Sequence, residues 1–280
     1  MRKTMRALAQ DLELSRTGKT VHPARRRLKL ARSLLRLMKP ALGKDVFQQE
    51  NQTLRDAAQA LAALRHTEAM SEAIAKLRAA AKDTTAEEPV YAALEAAAHD
   101  LRAEVVSPEE TGRRIETALA LIEELRPRIA DWPLPKRDQS LFVEGMRASF
   151  AKARRLLREG LARGETPLLH EARKSVIHHL HHIELLKPLW PKLFKVWAGE
   201  LQDLRQDLGD LNDLDDLAGE FDRPESPFAA IAHKDEALTL IDRRRKSILA
   251  RITSETGHLF AEEPKNFAAR IDALWRHLAG

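Results

Sequence analysis

His22, Arg25, Arg26, Lys29, Arg32 and Arg36 are the residues of this 280-residue chain whose types and spacing point first to chemistry. Wound as an α-helix at about 100° per residue, Arg25, Lys29, Arg32 and Arg36 step by four, three and four and form one narrow stripe. His22 stands at the N-terminal end of that stripe and Arg26 on its flank. Val21, Ala24, Leu28, Ala31, Leu34, Leu35 and Met38 fill a wide apolar arc around the rest of the circumference. A solvated helix face ordinarily mixes charges, because opposite pairs at i,i+4 stabilise a helix and like pairs cost a few tenths of a kcal/mol. Here no carboxylate occurs between Glu13 and Asp45. Stacked cations repel, and an anionic partner relieves the repulsion; a merely solvated basic face is the alternative.

Other constellations carry less. In HHLHH, His178 and His182 lie one turn apart on one helical face, a spacing that suits two zinc or nickel ligands. A structural site needs four ligands and a catalytic one usually three, and there is neither a cysteine nor an HExxH motif, so no metal is expected. The acids Asp210, Asp213, Asp215 and Asp216 with Asn212 do not follow a calcium-loop pattern, since Leu214 interrupts them and the glycine is missing. They read instead as helix-capping groups and as neutralisers of Arg or Lys. There is no P-loop, GxSxG, GxGxxG or Glu-x-Glu-x-Lys pattern, so no catalytic residue is nominated and the chain is expected not to be an enzyme. Trp132, Trp190, Trp197 and Trp275 fall at helix starts or in apolar stripes, where core packing accounts for them.

Lys+Arg of 47 against Asp+Glu of 42 gives a net charge of only +5, so the position of the charge is more informative than its sum. Aromatic residues make up 5% of the chain, which argues against stacking platforms for single-stranded nucleic acid. The absence of cysteine excludes disulfides and thiol chemistry. The amphipathic start MRKTMRALAQDLELS has no 7–15-residue apolar run and does not read as a signal peptide, and no segment approaches 18 consecutive apolar residues. A soluble, cytoplasmic protein is expected.

The elements that must position the stripe are helices, since Ala, Leu, Arg and Glu dominate and period-2 runs are missing. The spacing predicts helices over Arg2–Leu14, Val21–Lys39, Asp45–Arg65, Glu68–Ala81, Val90–Leu101 and from Ser107 to Ile129. Ser107-Pro108-Glu109-Glu110 supplies an N-cap, a proline at the first position and a capping-box glutamate. After the break Asp131-Trp132-Pro133-Leu134-Pro135, helices follow over Ser140–Ala162, Leu168–Lys187, Trp190–Leu208, Leu211–Glu220, Phe228–Thr256 and Lys265–Leu278. The boundary between halves is placed at that break, giving 1–131 and 132–280.

The halves are related. VHPARRRLKLARSLLRLMKP and LLHEARKSVIHHLHHIELLKP begin and end alike, and both His22 to His170 and Pro40 to Pro188 span 148 residues (170 − 22; 188 − 40). Each copy follows a basic helix read as beginning Met-Arg (Met1-Arg2, Met146-Arg147). Such a repeat suggests two helical bundles about a pseudo-two-fold axis, with the two basic stripes lining one concave surface.

These residues resemble the CHAD domain (conserved histidine α-helical domain), whose members carry paired His-x-x-Arg-[Arg/Lys] helices. His22, Arg25, Arg26, Lys29 and Arg32 match in the first copy; His170, Arg173, Lys174 and LLKPLWP match in the second. GKDVFQQENQTLRDAAQALAALR, LGDLNDLDDL and RRRKSILARITSETGHLFAEEPKNFAARIDALW are similar to later segments of the family, so the resemblance runs over essentially the whole chain. It implies two four-helix bundles around a basic central cavity, binding of inorganic polyphosphate, and placement at polyphosphate granules. Two departures stand out. Ile177, Leu180 and Glu184 replace the counterparts of Lys29, Arg32 and Arg36, with His178, His181 and His182 nearby, which predicts a weaker second stripe; and His66 stands where the family usually has an acid.

Polyphosphate has no base to read and needs a line of cations and donors, with Arg offering a bidentate fork and Lys a point charge. His22, Arg25, Arg26, Lys29, Arg32 and Arg36 are expected to form one wall. Arg147 and Arg154 with His170, Arg173, Lys174 and His181 are expected to form the other, and Arg6 is the counterpart of Arg154. Arg6, Arg147 and Arg154 read equally well as solvated helix charges, and Arg55 as a partner of Asp56. His22 and His170 are either phosphate-facing or bonded neutral imidazoles. If they face phosphate, binding is expected to strengthen below about pH 6.5. The alternative function is a nucleic-acid-binding module using the same surface; a phosphate-processing enzyme would need a metal-binding acid cluster facing the cavity.

Overall fold

The computed structural model describes residues 1–17, 20–62, 66–81, 86–103, 107–135 and 139–279, and these form eleven helices and no strand. They are α1 (Arg2–Arg16), α2 (His22–Leu37), α3 (Lys39–Ala60), α4 (His66–Ala79), α5 (Glu88–Ala103), α6 (Pro108–Arg128), α7 (Gln139–Arg163), α8 (Thr166–Leu185), α9 (Pro191–Glu220), α10 (Lys234–Leu259) and α11 (Pro264–Ala279). The all-α class read from composition is the class of the fold. Among the described residues no helix is long and apolar enough to cross a membrane.

Local chemistry sets most helix ends. The Ser107 hydroxyl accepts from the Glu110 amide at 3.2 Å and Pro108 opens α6, as the capping pattern requires. Ser107→Ala is expected to cost about 1 kcal/mol, read as a drop in thermal midpoint. Gly43 holds φ 76°, ψ 177° and kinks α3, which is why the sequence around Pro40 and Gly43 looks like a helix end. Gly209 does the opposite of what its position suggests: α9 runs through it unbroken. A Cβ there would sit 3.1 Å from the Arg173 guanidinium, so this glycine admits a side chain from α8 and does not stop the helix. The helix expected from Phe228 begins only at Lys234, after turns that end at His233 in the left-handed region. α3 ends at Ala60 and α4 already begins at His66, so the break falls ahead of the one expected between Arg65 and Glu68; residues 63–65 lie outside the described residues.

Two apolar clusters form the interior. One joins α1, α2, α3 and α6 through residues such as Leu8, Leu28, Leu35, Leu54 and Ile122. The other joins α7 to α11 with α4 and α5, through Leu77, Leu94, Phe150, Ile183, Leu204 and Phe267 among others. The packing therefore groups the helices differently from a cut at 131/132, because α4 and α5 leave the first half and lie on α9 and α10. Of the four Trp, Trp132 is buried and Trp197 and Trp275 pack against the larger cluster, but Trp190 is 50% exposed at the start of α9, so core packing does not account for it.

Where the clusters meet, α2 crosses α8. Ala24, Leu28, Ala31 and Leu35 turn α2 into the first cluster, and its Leu37 belongs to the second. Gly145 of α7 lies so close to Leu37 that an added Cβ would stand 2.0 Å from the Leu37 carbonyl oxygen. The crossing itself is polar. Ser33, fully buried, has its Oγ 2.8 Å from Nδ1 of both His178 and His181, and its carbonyl oxygen is 2.7 Å from His182 Nε2. Ser33 and His181 are 148 residues apart, the repeat offset, so the two copies meet at equivalent positions.

Candidate anion-binding groove

A groove of about 700 Å³ opens beside this crossing. From α2 it takes His22, Arg26 and Lys29, from α8 Arg173 and His181, and from α9 Arg205. Arg205 is half-buried, its Nε buried with no hydrogen-bond partner among the described residues. Burial first, and then the field of Arg26, lowers its affinity for its proton. His181 is pushed down to about 4, by burial first and then by His182, Arg205, Lys29 and Arg26. Three cations from two helices thus converge on a neutral imidazole.

The carboxylates at the groove are in part already committed. Asp11 of α1 pairs with Arg27, and Lys76 of α4 reaches Asp210 at 2.8 Å and Asp213 at 3.7 Å. Glu184, the counterpart of Arg36, is exposed and 3.6 Å from Lys187. Gln202, Arg205, Gln206 and Gly209 line the groove at i, i+3, i+4 and i+7, one face of α9. Sequence reading missed Arg205 because the acids around it made α9 look like an acidic helix; that spacing was the signal available.

Of the residues nominated from sequence, His22, Arg26, Lys29, Arg173 and His181 line this groove. Arg32, Arg36 and Lys174 lie elsewhere, with Arg55 and Lys152. Arg25 donates from Nη1 to the Leu61 carbonyl at the end of α3. Arg173 is its repeat counterpart and lies on Gly209, the counterpart of Leu61, so each arginine braces its helix against the equivalent place. The structure does not bring the remaining four to the groove. Arg6 is exposed on α1. Arg147 pairs with Glu144 at 2.7 Å, and Arg154 donates to the Phe260 carbonyl at 3.1 Å and pairs with Glu263, which pins the α10–α11 turn onto α7. His170 lies in the field of Asp215, which Arg245 reaches at 2.7 Å.

The histidine-rich copy is structural here. His178 Nδ1 and His182 Nε2 are each engaged by Ser33. Burial holds His178 well below the usual imidazole range and His182 at about 4. Of His22 and His170, the two histidines expected to face phosphate, only His22 lines the groove. The acids of α9 do neutralise bases, Lys76 and Arg245, but they sit inside a continuous helix and cap nothing.

Fold and groove together describe an all-helical protein whose groove, lined by both cations and carboxylates, is built on a repeated His-x-x-Arg helix. The chain belongs to the CHAD domain family, whose model matches residues 1–222. That match ends after α9, so the similarity noted for the α10 and α11 sequences lies beyond it. No curated protein and no solved structure matches the chain.

Proposed function

We propose that this protein binds inorganic polyphosphate, without turning it over, in the groove between α2, α8 and α9. The observation that carries the reading is the convergence of Arg26, Lys29 and Arg205 beside His181, where burial first and then the field of Arg26 lower Arg205. A flexible polyanion relieves that repulsion and supplies acceptors for every guanidinium donor. Family membership supports the choice of ligand. A nucleic-acid module is the weaker reading, since among the described lining residues there is no Phe, Tyr or Trp on which a base could stack. In this reading the protein is soluble, gathers at polyphosphate granules, and holds the anion in a cleft central to two repeat-related bundles.

Equilibrium binding of labelled long-chain polyphosphate across a salt series tests it. The wild type should bind with a steep salt slope and resist competition by single-stranded DNA. Arg26→Ala/Arg205→Ala should weaken binding at least 100-fold and flatten the slope by about two, with the melting curve little changed. Equal competition by DNA would overturn the ligand assignment, and time-dependent release of phosphate would overturn the non-catalytic one.

A further inference from the structure

The cations left out of the groove gather in a second place. On either side of Ser33 on α2, Arg32 and Arg36 lie in the field of Arg55 on α3, and Lys152 of α7 lies in the fields of Arg36, Arg155 and Lys174. The carboxylate whose field reaches Arg32, Arg36 and Lys152 is Glu171, and it is already engaged by Lys174 at 2.6 Å. Nε of Arg32 and Nε of Arg36 are buried without a hydrogen-bond partner among the described residues. Burial lowers both guanidiniums and the Lys152 ammonium, and neighbouring cations lower all three further. A cavity of about 110 Å³ opens at this cluster, where Arg36 and Lys152 meet Lys39, Ser149, Ser175 and His178. Arg36 and Lys39 also rest over the Phe47 ring at 5.7 and 5.1 Å, which fixes their direction.

The two places share a wall. His181 lines the groove and His178 lines the second cavity, and both are tied by Nδ1 to the same Ser33 hydroxyl at 2.8 Å. We infer that the anion-binding surface is bipartite: Arg32, Arg36 and Lys152 form a second phosphate-oxyanion site across the Ser33–His178–His181 wall from the groove, and one polyphosphate chain long enough to pass the wall engages both. This inference takes its ligand class from the function proposed above. Its consequence is selection by length. A short oligophosphate fills one site at a time, whereas a long chain that holds one site is presented to the other at high effective concentration.

Calorimetric titration with tripolyphosphate and with long-chain polyphosphate tests the arrangement. The proteins are the wild type, a groove variant Arg26→Glu/Lys29→Glu, and a second-site variant Arg55→Glu/Lys152→Glu, in which both altered side chains are exposed. Wild-type protein should take up two tripolyphosphates and each variant one. The long chain should bind the wild type one to one, and each variant should lose at least 100-fold in affinity for it. A single tripolyphosphate on the wild type, or unchanged long-chain affinity in a second-site variant with wild-type circular dichroism, overturns the bipartite site and leaves the groove standing. Failure of the long chain to bind wild-type protein overturns the polyphosphate reading itself.

Discussion

Lowering the pH from 7 to 5 should bring this protein close to unfolding, and the histidines of α8 should be the cause. His178, His179 and His182 are buried, with His179 pushed down to about 3 and His182 to about 4, in each case by burial first. Unfolded, each imidazole titrates near 6.5. The folded form therefore stays neutral where the unfolded form takes up protons. The stability involved is fully present above about pH 6.5 and is lost as pH falls toward the folded values. At pH 5 His179 and His182 have each lost about 2 kcal/mol, about 4 kcal/mol together, and His178 acts in the same direction, so the loss is a large share of the stability of an ordinary domain. Glu255 works in the opposite sense. Burial, then Asp207, raises it to about 7, which favours the fold on the acid side, but it is one partly exposed group and solvent screens it. Thermal melts from pH 8 to pH 4 should show a plateau and then a steep fall below pH 6.5. His179→Phe is the sharper probe. This ring sits 5.3 Å from Phe150, 5.4 Å from Phe267 and 5.7 Å from Phe260, and neither of its nitrogens has a hydrogen-bond partner among the described residues. A phenyl ring there should recover about 2 kcal/mol at pH 5. A melting temperature that stays flat to pH 4 would show that these imidazoles are not held neutral.

Arg128→Ala should be the most damaging single substitution away from the groove. Glu50 of α3 is 2% exposed and is held by Arg128 of α6, with Nη2 to Oε2 at 2.8 Å and Nε to Oε1 at 3.0 Å; Trp132 Nε1 adds a third donor at 3.4 Å. Removing the arginine leaves a buried carboxylate with one weak donor, a loss of about 3 kcal/mol and roughly 10 °C in the melting midpoint. Replacing both partners, as Glu50→Leu/Arg128→Met, should restore most of it, because no charge is then stranded. If the single variant melts within 2–3 °C of the wild type, roughly 1 kcal/mol, the pair is an ordinary surface bridge.

The sequence showed what is periodic and local. The helical class, the α2 stripe, the Ser107 cap, the break at Trp132 and the 148-residue repeat all follow from spacing within a turn or from self-similarity. The site was only partly legible. His22, Arg26 and Lys29 were found from the stripe, and Arg173 and His181 from the repeat. Arg205 was hidden because helical periodicity gives a face but not the neighbour that face meets. Arg147 and Arg154 looked like cations of the opposite wall, yet their partners, Glu144 and Glu263, are fixed by rotamer and by long-range packing. The division of the α2 cations into two places depends on where α8 crosses, at Ser33, and no pattern inside α2 announces it.

The route of α4 and α5 has a consequence for how the molecule is made. The chain lays down α1 to α3, departs to place α4 and α5 among helices not yet synthesised, and returns with α6 to close the first cluster. A nascent chain ending near residue 131 would have α4 and α5 packed on each other but without the α9 and α10 surfaces they lie on, leaving part of their apolar sides uncovered. The first cluster is complete by residue 132, but the second waits for α7 to α11; because α2 and α3 pack across onto α7 and α8, the two are finished as one body, and the long sequence separation slows assembly. The protein should then melt in one transition, and a polyanion bound at the α2–α8 crossing should stabilise both clusters at once.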